Sequence, residues 1–145
     1  MEIFLVDLLR LGMALVLGGM VGVERQLAGQ AAGLRTHVLV ALGAAVFTLA
    51  GLATTGNENP ADVSRVVQGV AAGVGFIGAG AIMRSGQDET VRGLTTAGSI
   101  WVAAAMGTAA GLGEWALSAA AGCAALVVLT VLKPVSRWLS RRASE

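Results

Sequence analysis

Glu24, Arg25 and Gln26 close one apolar stretch of the chain, and Arg35, Thr36 and His37 open the next. Arg84, Asp88, Glu89 and Arg92 lie between two further apolar stretches, and Thr95 and Thr96 follow them. Mixed acids and bases at such positions suit binding of an anion, a divalent cation or a charged partner. They also suit a simpler task, in which Glu24, Arg35 and Arg92 cap and tie helix ends. His37 is the side chain whose charge changes near neutral pH, although a lone histidine at a helix start more often serves as a hydrogen-bonding or interface residue. No His, Cys and carboxylate spacing suits zinc. The sole lysine, Lys133, sits in no glycine-rich nucleotide loop, and no nucleophile stands with a paired base. The expectation is a non-enzymatic protein with no cofactor, with magnesium binding left open.

The elements that must position these residues follow from composition. The chain has 145 residues, of which 55% are hydrophobic and 13% charged, with mean hydropathy +0.75. Soluble domains carry about 25% charged residues, so this chain cannot cover itself with a polar surface. Disordered chains are apolar-poor, and one cysteine, Cys123, excludes a disulfide framework. The net charge of +1 gives no pull toward nucleic acid. An all-α polytopic membrane protein remains, with the lipid bilayer as its solvent.

Charge-free stretches at 11–23, 36–57, 66–83, 93–113 and 115–132 predict a bundle of five spans. A crossing needs roughly 20 residues. The first stretch is shorter and must extend outward to Ile3, which places Asp7 and Arg10 within or near the bilayer. Pro134 is expected to end the fifth helix, dividing a membrane domain (1–133) from a basic cytoplasmic tail (134–145). With the N-terminus outside, the inner segments hold Arg25, Arg35, Arg84, Arg92, Lys133, Arg137, Arg141 and Arg142, and the outer side keeps Arg10 and Arg65. Positive charge marks the inner face, so the N-terminus is expected outside and the C-terminus in the cytoplasm. Trp115 and Trp138 then fall at the two interfaces, and mid-helix Trp101 is expected to pack on a neighbouring helix.

Small residues should hold the bundle, because helices in lipid associate by close packing. Gly18 and Gly22 mark one face of the first helix. In the third, Gly73 and Gly80 share a face with Gly69, while Gly75 and Gly78 lie nearly opposite with Ala71. That helix is therefore expected at the centre. Asp7, Ala14, Gly18 and Arg25 fall within about 20° of a common line on helix 1. Arg10 stands one turn from Asp7, as an internal ion pair or as part of an ion site near the outer mouth. A shift of 57 residues lays Gly29-Gln30 and Arg35 on Gly86-Gln87 and Arg92, a weak sign of a repeated hairpin.

Two blocks carry a family likeness. Gly18-Gly19-Met20-Val21-Gly22-Val23-Glu24-Arg25-Gln26 is followed by Gly33-Leu34-Arg35-Thr36-His37. Gly73-Val74-Gly75-Phe76-Ile77-Gly78-Ala79-Gly80 is followed by Arg92-Gly93-Leu94-Thr95-Thr96 and Trp101. In this order they resemble the MgtC/SapB family of bacterial membrane proteins. The resemblance implies a multi-pass inner-membrane protein linked to growth in low magnesium and to virulence. It also implies a regulator that contacts the F-type ATP synthase. The polar motif residues carry over to Glu24, Arg25, Arg35, Thr36, Arg92, Thr95 and Thr96, without assigned roles. Many members carry a soluble domain after the fifth helix, and functions belonging to that domain do not transfer. Two readings follow: a regulatory, partner-binding membrane protein, or a channel or transporter for magnesium or another small ion, formed as an oligomer such as a dimer.

Overall fold

The computed structural model describes residues 1–55, 60–84 and 91–142. Five helices follow in order: α1 (Glu2–Leu27), α2 (Leu34–Thr55), α3 (Pro60–Gly80), α4 (Leu94–Leu112) and α5 (Trp115–Arg142). Between α3 and α4, β1 (Met83–Arg84) and β2 (Val91–Arg92) pair antiparallel, with Met83 opposite Arg92. Pro60 opens α3, where its missing N–H has no helical partner to lose. Gly93 and Gly113 bracket α4 with φ of 93° and 83°, a left-handed backbone that a side chain resists.

α1, α2, α3 and α5 are long and apolar enough to cross a membrane. α4 carries no charged residue, and it occupies the middle. All four of the others pack on it. Each of the three core clusters draws on it: Ala103 and Met106 with Leu17, Val21 and Leu129; Ile100 and Ala104 with Ala44 and Val74; Ala110 with Ala14, Ala41 and Ala45. Position explains composition. A helix enclosed by other helices needs small residues for close approach rather than a large apolar surface for lipid. Its buried Thr96, Ser99, Gly107, Thr108 and Gly111 reflect that demand.

The expectation of a central third helix is corrected. α3 lies at the margin and packs chiefly on α2 and α4. One face makes these contacts, through buried Val74 and Gly78, and a Cβ on Gly78 would rest 3.6 Å from that of Ala97. A Cβ on Gly73, Gly75 or Gly80 would meet nothing within 4 Å among the described residues, so these glycines make no close helix contact there. Gly18 and Gly22 do sit at a contact. A Cβ on Gly18 would lie 2.9 Å from the His37 carbonyl oxygen, and one on Gly22 would lie 2.7 Å from Leu34 Cα.

Pro134 does not end α5, which runs on through it to Arg142. The ring removes the N–H that Thr130 O would have accepted, while the Thr130 hydroxyl donates to Leu126 O at 2.6 Å. The basic end continues the last helix, with Arg142 4.2 Å from the ring centre of Trp138. Trp101 is half exposed beside Val70, Ala104 and Leu117, in a groove between α3, α4 and α5.

Candidate functional site

The α1–α2 turn and the start of α4 gather Glu24, Arg25, His37 and Thr96, half of the sequence-predicted polar cluster. Arg25 ends α1 on its buried face, and its side chain is 4% exposed. Its Nε donates to Glu24 Oε2 at 2.6 Å and its Nη2 to Glu24 Oε1 at 2.9 Å. This two-pronged pairing uses both carboxylate oxygens, the arrangement that best matches a guanidinium. Lys133 and His37 are near enough to act on Glu24 electrostatically. The turn is closed by the Gln26 side chain, whose Oε1 accepts the Leu34 N–H at the start of α2. Gly33 lies against that amide, and a Cβ there would push the Gln26 side chain aside.

His37 is fully buried between α2 and α4. Its Nδ1 lies 2.9 Å from Gly33 O and its Nε2 lies 2.9 Å from Ser99 Oγ. A carbonyl oxygen only accepts, so Nδ1 carries the hydrogen. Ser99 Oγ also reaches Thr96 O at 2.8 Å. The single hydroxyl hydrogen of Ser99 thus has two acceptors to choose between when the ring is neutral. Thr96 Oγ1 in turn donates to Gln30 Oε1 at 3.3 Å, and Gln30 Nε2 donates to Ala28 O. The chain of bonds ties the α1–α2 turn to α4. Ser99→Ala should strand Nε2 and cost about 1–3 kcal/mol of stability. Thermal unfolding in detergent checks this, and Ser99→Thr should retain most of the wild-type value.

The other predicted residues lie apart from this network. Arg35 and Arg92 are exposed and form no ion pair among the described residues. Thr36 is half-buried beside Arg35, and Thr95 is exposed on the pocket side of α4. Asp88 and Glu89, with Gly86 and Gln87 of the proposed hairpin repeat, lie outside the described residues. At the far end of the bundle, Arg10 Nη1 is 3.9 Å from Asp7 Oδ1. The Arg10 guanidinium covers the turn after α4, where a Cβ on Gly113 would lie 2.9 Å from Nη2. A cation suits that place, the partially negative end of a helix. Among the described residues, no three His, Cys, Asp or Glu side chains gather as metal ligands would.

The sequence profile of the MgtC family matches residues 11–138, nearly the whole bundle. The chain belongs to the MgtC family. Among its MgtC-family relatives, protein SrpB of Synechococcus elongatus is 42% identical over 142 residues, covering 90% of this chain and 78% of that protein. Protein MgtC of Salmonella typhimurium is 40% identical over 134 residues, or 92% of this chain and 55% of its own length. Protein MgtC of Brucella abortus is 39% identical, with 52% of its length covered. The chain thus spans about half of these two MgtC proteins. No solved structure matches it.

Sequence reasoning missed four residues that matter to this MgtC-family bundle. Gly107 and Gly111 of α4 press on α2: a Cβ on Gly107 would strike the Ala41 carbonyl, and one on Gly111 would lie 2.8 Å from Thr48 Cβ. Their spacing, Gly107-x3-Gly111, was a readable signal. Ser99 and Ser118 gave none. Ser99 meets a partner 62 residues away, and Ser118 Oγ donates to Met106 O at 2.9 Å to pin α5 on α4.

Proposed function

We propose that this MgtC-family membrane protein is a non-enzymatic regulator that binds a membrane partner, with its role in magnesium homeostasis or membrane energetics. The observation that carries the reading is the mutual pairing of the buried polar groups. Arg25 is matched to Glu24, His37 to Ser99 and Gly33, and Thr96 to Gln30. Groups satisfied by one another hold a shape; they do not wait for an ion. Magnesium wants oxygen ligands around a hydrated ion, and the carboxylates described along the bundle offer no such converging set.

The face left for a partner is the apolar groove between α2 and α3, about 670 Å³, lined by Val40, Gly43, Phe47, Gly69, Gly73 and Ile77. Its glycines meet nothing within the chain, and small residues at such a face let a second helix approach closely. In this reading the groove first takes a second copy of the chain, giving a dimer. The F-type ATP synthase is the candidate further partner. The bundle sits in the bacterial inner membrane with Arg25, Arg35, Arg92 and Lys133 toward the cytoplasm, in keeping with positive-inside placement.

Reconstituted liposomes and crosslinking in native membranes test this together. Purified protein should pass no magnesium above empty vesicles. A photo-crosslinker at Phe47 or Ile77 should trap a second copy or a membrane complex. Magnesium flux that vanishes in Asp7→Asn or Glu24→Gln would favour the transporter reading instead.

A further inference from the structure

A second pocket, about 360 Å³, opens between α1, α4 and α5 at the arginine-rich end. Its wall changes character along α5. Val128, Leu129 and Leu132 make it apolar, and Lys133 follows them toward the end of the bundle. Arg25, Gln30 and Thr95 complete the polar part. Arg25 is built in rather than loosely attached, with its side chain 4% exposed. Glu24 takes its Nε and Nη2, which leaves Nη1 for a ligand. Ala97 N–H is bonded to Gly93 O at 2.8 Å. The amides of Leu94, Thr95 and Thr96 precede it in the first turn, where a helix offers free N–H groups and the positive end of its dipole.

The sign of the pocket follows from these groups. Two cations, Arg25 and Lys133, stand against one acid, Glu24, whose two oxygens are already taken. The Thr95 hydroxyl and the Gln30 side-chain amide add hydrogen-bonding capacity. Such a site rejects cations and accepts a compact oxyanion. The apolar wall narrows the choice, because a free anion has no use for Val128, Leu129 and Leu132. We propose that this pocket binds a phosphate-bearing anion, with Arg25 Nη1, Lys133 and Thr95 on the phosphate oxygens. The wall favours an anionic phospholipid whose chains lie along α5. This assignment goes beyond the partner-binding reading and stands without it.

Native mass spectrometry of the full chain tests it, with titration by phosphatidylglycerol, phosphatidylcholine and inorganic phosphate. Phosphatidylglycerol should be retained about fivefold more strongly than phosphatidylcholine, the size of one basic residue's attraction for an anionic headgroup. Lys133→Gln, at an exposed position, should lower phosphatidylglycerol binding by about the same factor. Lys133→Arg should restore it, and Thr95→Val should weaken it. Equal retention of the two lipids, or variants that bind as the wild type does, would overturn the site. Inorganic phosphate that binds as tightly as phosphatidylglycerol would overturn the lipid assignment and make the free anion the ligand.

Discussion

Gly107→Ala should cost the bundle about 3 kcal/mol or more, at the upper end of what overpacking does to a core. The added methyl would meet the Ala41 carbonyl, and its next neighbours are also Ala41 backbone atoms, with Cα at 2.9 Å. A side chain in the way can turn aside, but backbone cannot. α4 would have to lift off α2, and all three core clusters contain residues of α4. The comparison that gives the result its meaning is Gly75→Ala. A Cβ on Gly75 meets nothing within 4 Å, and the substitution should stay within about 0.5 kcal/mol of wild type or gain slightly in helix propensity. Thermal unfolding in detergent, followed by loss of the monodisperse peak, measures both. Equal losses for the two variants would show that close approach of α4 to α2 does not hold the bundle.

Glu24→Ala should be the next most damaging change, at about 3 kcal/mol. The pair it breaks is enclosed, with side-chain exposures of 4% for Arg25 and 16% for Glu24. Without the carboxylate, a buried guanidinium loses both of its bonds while Lys133 remains nearby. The cost lies in the stranded charge more than in the lost attraction. Replacing both partners, as in Glu24→Ala with Arg25→Leu, should therefore recover part of the loss. A double variant less stable than the sum of the singles would count against this account.

Much of the architecture could be read from one chain because lipid makes strong demands. Charge-free runs located five helices, and the observed α2 and α4, Leu34–Thr55 and Leu94–Leu112, depart little from the expected 36–57 and 93–113. Helix ends with a proline were harder. Pro134 lies beyond the charge-free stretch, and the helix passes through it. The central helix was misjudged for a physical reason. Glycine content measures capacity for close approach, and α3 has that capacity on faces with no neighbour in the chain. α4 advertised itself more quietly, through its Gly107-x3-Gly111 pair. At the site, Glu24 and Arg25 were visible as neighbours in sequence. The His37–Ser99 bond was not, since it depends on how two helices 62 residues apart are rotated against each other.

The enclosed position of α4 bears on how the polypeptide is made. Membrane helices leave the ribosome in chain order, and this one emerges after three partners that all lean on it. A nascent chain halted before Leu94 would hold α1, α2 and α3 with the seat of Ala103, Met106 and Ala110 empty. His37 Nε2 would then lack its partner, with Ser99 not yet synthesised. The core of this protein is therefore completed late, when its fourth helix leaves the translocon and finds a slot lined with alanine already waiting.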